Sequence, residues 1–369
     1  MVKKQLFIQW DSTNDCNLKC FHCYHNREGQ KNHAQERSNL MNLVEVKGMI
    51  DDFVYTTKRW NMVPRLHISG GEPLMRKDLL DILDYAQQNE VSTRLLTNGT
   101  LITYEKAKEF KKRGMKRLQI SIDGDKERHN YVRQKSYAFD KAMQGIANSK
   151  EAGLGVTISF TAMQSNKDYI EQAIKYSVEA GADVFGIQSY IPSKELGIND
   201  PEFIDARGLY EIYKNQRKLD TKYGNKIRLL ETEVLWHLMH CDDPLKEASR
   251  ETGKFLGGCG AGYSGVSVLS DGRVYPCRRL PIDIGHISEG LVKLITEKEI
   301  MHNLRDLNKI KENTNCEYIS HCKGCRAIAY ATTGDYMAKD PMCFRNLVKS
   351  SDLEDRYIEN ATSETFNCR

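Results

Sequence analysis

The stretch DCNLKCFHCYH, residues 15–25, places Cys16, Cys20 and Cys23 within eight positions, spaced C-x3-C-x2-C. Thiolates are soft ligands that suit zinc or iron–sulfur clusters. A closed structural zinc site and a fully ligated cubane cluster both take four protein ligands. Three thiols leave one coordination position open, and an open position can bind something that reacts. His22 and His25 flank the third cysteine, so residue type alone keeps zinc as an alternative.

The other cysteines are clumped too. The chain has 11 in 369 residues, with none between 24 and 240 and six at Cys259, Cys277, Cys316, Cys322, Cys325 and Cys343. Cys241 and Cys368 stand apart. No apolar run approaches the ~18 residues of a membrane span, and the N-terminus lacks the apolar region and cleavage site of a signal peptide. The chain therefore reads as cytoplasmic, where clustered cysteines bind metal or do chemistry more often than they form disulfides. A net charge of +4, from 54 basic and 50 acidic residues, is too slight to imply nucleic acid. The densest basic run, KKRGMKR at 111–117, reads as the end of a helix followed by a strand.

Strand-like and helix-like segments alternate through the first half. Short β-branched and apolar runs predict strands at Gln5–Trp10, Leu66–Ser69, Ser92–Thr97, Arg117–Ile122, Val156–Thr161 and Val184–Gln188. Helical patterns lie between them at Leu43–Trp60, Lys77–Asn89, Tyr104–Arg113, Phe139–Ala152 and Asp168–Ala180, with Gly114, Gly153 and Gly181 at expected C-caps. Such repeats build a parallel sheet covered by helices, either open and doubly wound or curved like a barrel. In both, chemistry sits on loops after the carboxyl ends of strands. Cys16–Cys23, Gly70–Pro73, Asn98–Gly99 and Asp123–Gly124 all fall there. Residues 196–255 read as a charged helical bridge. Residues 256–345 are glycine- and cysteine-rich, with a hairpin signal in SVLSDGRVYPC around Ser270-Asp271-Gly272. Residues 346–369 read as a C-terminal helix or tail.

The triplet directly after a first strand resembles the signature of the radical S-adenosylmethionine (SAM) superfamily. SGGEP at 69–73, TNG at 97–99, SIDG at 121–124 and HNYVRQ at 129–134 resemble the motifs that follow in that family. His22 departs from it, since the position before the third cysteine is often aromatic. The resemblance covers about residues 5–190 and implies an α/β partial (β/α)6 TIM-like barrel as the core, residues 1–195. It implies that Cys16, Cys20 and Cys23 hold three irons of a [4Fe–4S] cluster whose fourth iron binds SAM. It further implies that Ser69, Gly70, Gly71 and Glu72 meet the SAM amino end, that Ser121 and Arg133 meet its carboxylate, and that Asn98 and Asp123 contact ribose or fix the loops. A flavodoxin- or ferredoxin-like protein is the expected electron donor.

The second group of cysteines, with HCKGCRA and KDPMC around them, resembles the C-terminal SPASM/Twitch extension of such enzymes, an α+β cysteine-rich domain with auxiliary iron–sulfur clusters. Asn313 occupies a position where a full extension usually has cysteine, and the cysteine often found shortly after Cys259 is absent. Two ligand sets remain open. One cluster would use Cys259, Cys277, Cys322 and Cys325. Two [4Fe–4S] clusters would divide the thiols into Cys259, Cys277 and Cys325 against Cys316, Cys322 and Cys343. Related enzymes sometimes use a free thiol as hydrogen donor, which makes Cys241 a candidate.

The resemblance implies reductive SAM cleavage to a 5′-deoxyadenosyl radical and hydrogen abstraction from a ribosomally made peptide or a cofactor precursor. Arg278 and Arg279 after Cys277 suit an acidic or carboxylate-bearing substrate, or simply line a cluster. With the first cysteine at 16, no leader-binding domain is expected ahead of it, so a peptide substrate would call for a separate leader-binding protein. The alternatives are a sugar or aminocyclitol dehydrogenase or epimerase of the same superfamily, and a non-catalytic iron–sulfur electron carrier. The carrier would have no use for SGGEP.

Overall fold

The computed structural model describes residues 4–24, 40–231, 233–239, 258–311, 316, 318–319 and 322–347. Strands and helices alternate from the N-terminus: β1 (Gln5–Asp11), α1 (Leu43–Arg59), β2 (Val63–Ser69), α2 (Leu79–Gln88), β3 (Ser92–Thr97), α3 (Tyr104–Lys112) and β4 (Arg117–Ser121). Then come α4 (Lys126–Arg133), α5 (Ala138–Glu151), β5 (Gly155–Ala162), α6 (Ile170–Glu179), β6 (Val184–Ser189), α7 (Ala206–Tyr223) and β7 (Arg228–Leu229). The cysteine-rich part adds β8 (Gly265–Val268), β9 (Val274–Tyr275), α8 (Leu291–Thr296), α9 (Glu299–Arg305) and α10 (Arg326–Thr333).

All six expected strands form, and they pair in parallel, as βαβ crossovers require. The sheet order is β7-β6-β5-β4-β3-β2-β1-β8-β9, a partial barrel open between its two edges. Residues 196–255, read as a bridge, contribute α7 and also β7, which continues the sheet beside β6. A two-residue strand leaves almost no periodicity to read. The helix α4 also lay outside the sequence expectations. Its mean polarity is high and only His129, Val132 and Arg133 are buried, but Asp125 caps it by accepting from the Arg128 N–H at 2.8 Å.

Strand alternation sorts side chains into two layers. Leu6, Ile8 and Trp10, Leu66 and Ile68, Leu118 and Ile120, and Val156, Ile158 and Phe160 are all buried, forming the core under the helices. α1 meets them with Val46, Met49, Ile50 and Phe53, an i, i+3, i+4, i+7 face. Its start is fixed by a capping box in which Asn42 accepts from Val44 and Glu45 while Glu45 accepts from the Asn42 N–H. The opposite face of the strands lines the bore, where Phe7, Gln9, Gln119, Ser121 and Gln188 border one large cavity.

The cysteine-rich part is attached through β1. Its strand β8 pairs in parallel with β1 from Phe7↔Gly265 to Trp10↔Val268, then turns into β9 through the hairpin at Gly272 (φ +86°). At the end of β1, the buried Asp11 forms an ion pair with the buried Arg278, the residue after Cys277, and accepts from Ser69 Oγ at 2.9 Å. Arg278 also lies over the Tyr24 ring at 4.2 Å. Removing one member of a buried ion pair leaves a desolvated charge and costs roughly 3–5 kcal/mol, whereas replacing both with apolar groups is close to neutral. Asp11→Ala should therefore lower stability by about 3–5 kcal/mol in urea unfolding. Asp11→Leu combined with Arg278→Met should recover most of it, and strictly additive losses would contradict the coupling.

Candidate functional site

The loop after β1 carries Cys16, Cys20 and Cys23, and it is clamped against the loop after β2. The Gly71 N–H donates to Thr13 O and the Glu72 N–H to Asp15 O, both at 2.7 Å. A Cβ on Gly70 would lie 2.4 Å from the Thr13 carbonyl oxygen, and one on Gly71 would lie 2.3 Å from that of Asp15. Gly70 also has φ +121°. The Gly-Gly pair is thus required by the backbone of the cysteine loop itself, a neighbour that sequence spacing could not reveal.

Glu72 stands behind this contact, fully buried. Its Oε1 accepts from Thr97 Oγ1 (2.7 Å) and the Leu74 N–H (3.2 Å), and its Oε2 accepts from the Asn98 N–H (2.9 Å). Burial raises its pKa, and these three donors oppose the rise. The carboxylate ties β2 to the end of β3 and keeps one acceptor position, on Oε2. Asn98 passes the connection on: its Nδ2 donates to Asn17 Oδ1 at 2.9 Å and reaches Cys16 Sγ at 4.0 Å. Asn17 in turn donates to Thr100 Oγ1 at 2.8 Å.

Arg133, at the end of α4, reaches the other side of the cysteine loop. Its Nε donates to Asp123 Oδ2 at 2.7 Å, and Nη1 points to Cys20 Sγ at 3.7 Å. Burial works against the charge of Arg133, but Asp123 and Cys20 outweigh it and hold the pKa up. Burial likewise penalises the Asp123 carboxylate, yet Arg133, with His22 and His129, holds it below the usual carboxylate range. Asp123 Oδ1 accepts from the Thr161 N–H (3.1 Å), and the Asp123 N–H donates to His129 Nδ1 (3.1 Å). His129 is buried beside Arg133 and stays neutral, its pKa lowered to about 3 by desolvation first and then by Arg133.

These residues surround one cavity of about 700 Å3. Cys16, Cys20, Cys23, Ser69, Gly70, Gly71, Asn98, Ser121 and Arg133 line it, whereas Glu72 and Asp123 stand behind its wall. Cys259, Cys277 and Cys325 line another part of the same cavity. Electrostatic interactions sort the later thiols further. Cys259 acts on Cys277 and on Cys325, while Cys316 acts on Cys322 and on Cys343. Asp340 links the two sets, accepting from the Cys325 N–H at 2.7 Å and the Met342 N–H at 2.9 Å. Sequence reading missed Asp340, although its place in KDPMC was the available signal. Cys241 lies outside the described residues.

The donor chemistry fits iron–sulfur clusters. The described cysteines are all free thiols. Burial pushes the Cys16 thiol up to about 12, against the Leu18 N–H, with Glu72, Cys20 and Cys23 adding to the rise. A metal-bound thiolate must lose that proton, so cluster assembly releases protons. Loading of the apoprotein with iron and sulfide should therefore improve steadily from about pH 7 to about pH 9, followed by iron content and visible absorbance. A pH-independent yield would contradict this linkage. Changing Cys16, Cys20 and Cys23 together to Ala should remove SAM cleavage and one cluster's iron while the later cysteines keep theirs. Loss of all iron from that variant would show that the sites are not separate.

Residues 10–177 match the family model of the radical SAM superfamily, and residues 259–326 match that of an iron–sulfur cluster-binding domain, SPASM. The chain is 31% identical over 359 residues to the AdoMet-dependent heme synthase of Methanosarcina barkeri, covering 93% of this chain and 97% of that protein. It is 27% identical over 345 residues to the mycofactocin maturase of Mycolicibacterium smegmatis, covering 91% of this chain and 82% of that one. Among solved structures, native anSMEcpe with bound AdoMet superimposes with a TM-score of 0.73 at 19% identity, covering 97% of this chain and 100% of that chain.

Proposed function

Because the chain belongs to the radical SAM superfamily and carries an iron–sulfur cluster-binding domain behind its core, we propose that it acts on a carboxylate-bearing tetrapyrrole, the precursor of a haem-type cofactor. It is an enzyme that uses a [4Fe–4S] cluster and SAM, of the kind that modifies a peptide or a cofactor precursor. The observation that carries the tetrapyrrole reading is the 31% identity extending over 97% of a haem synthase. The cavity's chemistry supports it. Arg278, Arg279 and Lys194 are on its wall, and a porphyrin precursor is anionic at its propionate edge. Burial works against the charge of Arg279, but Glu233 and the thiols of Cys325, Cys277 and Cys259 hold its pKa up.

In this reading Cys16, Cys20 and Cys23 hold the SAM-binding cluster at three corners. With that cluster and SAM bound, one-electron reduction supplies the 5′-deoxyadenosyl radical. Arg133 holds the SAM carboxylate, and Asp123 keeps its guanidinium oriented. Glu72 ties the end of β2 to that of β3 through Thr97 and Asn98 and offers its remaining acceptor position to the amino group. Ser69, Ser121 and Asn98 complete the polar wall. The sorting of the later thiols supports two auxiliary clusters, at Cys259, Cys277 and Cys325 and at Cys316, Cys322 and Cys343. A flavodoxin- or ferredoxin-like protein delivers the electron. A tetrapyrrole carries no leader segment to be bound. Among the described residues, no helix is long and apolar enough to cross a membrane.

The test is anaerobic turnover of the reconstituted protein with SAM, a strong reductant and iron porphyrins bearing propionate side chains. Mass spectrometry should show a porphyrin product of altered mass, formed together with 5′-deoxyadenosine. If the porphyrins leave SAM cleavage at its background rate and a peptide raises it, the substrate is a peptide and the tetrapyrrole reading fails.

A further inference from the structure

A second cluster of charge lies in the bore, away from the cysteine rim. Arg65, Arg94 and Arg117 come from the first half of three adjacent strands, β2, β3 and β4. Register places Arg94 beside Arg117, with Arg65, opposite Ser92, two positions below them on the same face. His67 pairs with Arg94, and one step below the Leu95↔Leu118 pair lie Arg94 and Arg117. Alternation puts all three on the bore face, because Leu66, Leu95 and Leu118 between them are fully buried toward the helices. Arg65 precedes Ser69 by four residues, so the layer lies roughly 13 Å below the rim. Phe7, which lines the main cavity, stands opposite Arg65 in register and stacks on His67 at 5.8 Å.

This layer has no matching anion. None of the three guanidiniums forms an ion pair among the described residues, and Arg65 Nε is buried with no hydrogen-bond partner. Arg117 reaches only a hydroxyl, Thr157 Oγ1, at 3.4 Å. The carboxylate that senses Arg117 is Asp183, which already pairs with Lys150 at 2.6 Å and accepts from the Val156 N–H at 2.7 Å. Burial first, and then Arg117 and Arg65, lower the pKa of Arg94. The same surroundings, burial and then Arg94 and Arg65, lower that of His67 to about 4, so it adds no charge. The sequence also makes room for the cations: a Cβ on Gly155 would lie 3.1 Å from Arg117 Nε.

All three arginines are half-buried, and like charges gathered on one face repel one another, so a bound counter-anion would stabilise the layer. Guanidinium forks match the planar and tetrahedral oxygens of carboxylate and phosphate. We propose that the Arg65–Arg94–Arg117 layer is an oxyanion site at the amino-terminal end of the bore, taking a phosphate or carboxylate group. The group belongs either to a free small anion or to a substrate arm passing the Phe7 floor. The second source rests on the tetrapyrrole reading; the site itself does not.

The experiment follows thermal unfolding of the cluster-loaded protein while inorganic phosphate is titrated against chloride at equal ionic strength. Phosphate should raise the midpoint saturably, and Arg94→Met should weaken that response roughly ten- to hundredfold. In phosphate-free buffer Arg94→Met should unfold at a higher temperature than the parent, because it relieves repulsion. Arg117→Gln provides the same comparison if Arg94→Met does not fold. Phosphate should then be tested against porphyrin-dependent SAM cleavage. Competition assigns the site to a substrate carboxylate, and saturable stabilisation without competition assigns it to a free anion. A phosphate response that persists in both variants, or no response together with an unchanged KM for the porphyrin in Arg94→Met, would overturn the proposal. If porphyrins are not turned over at all, the phosphate titration still decides the site alone.

Discussion

β1 is the strand on which both halves of the site depend. It is hydrogen-bonded along one edge to β2 of the barrel and along the other to β8 of the cysteine-rich domain. The first three cysteines leave from its end, and Asp11, its last residue, holds Arg278 beside Cys277. A single strand therefore fixes the position of the N-terminal thiols relative to those that arrive some 240 residues later in the chain. Without the buried ion pair, the hairpin would still pair with β1. Its following segment, Cys277–Arg279, would lose the charge that draws it over the barrel mouth.

Around that strand the polar groups behind the wall act through others. Glu72 and Asp123 do not line the cavity, but each uses its oxygens to order residues that do. Glu72 gathers backbone donors from two loops, and Asp123 keeps Arg133 charged and aimed at Cys20. Buried carboxylates with this many donors stay in place at little cost, since their hydrogen bonds replace the lost water. The result is a rim whose polar groups are fixed by the protein's own hydrogen bonds, as a radical reaction needs if solvent is to be kept out.

Much of the barrel was legible because its strands are short, apolar and followed by Gly, Ser, Asn or Asp, and because glycine C-caps end three of the helices. Gly114, Gly153 and Gly181 have φ of +76°, +77° and +77° as such caps require. The short strand β7 and the polar helix α4 were not, since neither carries enough apolar residues to set a period. At the site, spacing identified the thiols and the loop motifs, but not which side chains face the cavity. That depends on contacts between distant segments: Gly71 against Asp15, Asn98 against Asn17, Asp11 against Arg278. Nor could spacing assign the later thiols. Cys322 and Cys325 have only two residues between them within one motif, yet they interact with different partners.

The same logic explains why three thiols near residue 20 need no fourth. They occupy one wall of a cavity whose other walls present an arginine, glycine-walled backbone and a second set of thiols, the setting that the proposed SAM-binding cluster calls for. The most direct test is electron paramagnetic resonance with hyperfine spectroscopy on the reduced variant in which Cys259, Cys277, Cys316, Cys322, Cys325 and Cys343 are all changed to Ala, so that only the N-terminal cluster remains. SAM labelled with nitrogen-15 at its amino group should shift the cluster signal and show coupling to that nitrogen. A spectrum unchanged by SAM, or thiols found holding zinc, would contradict the account.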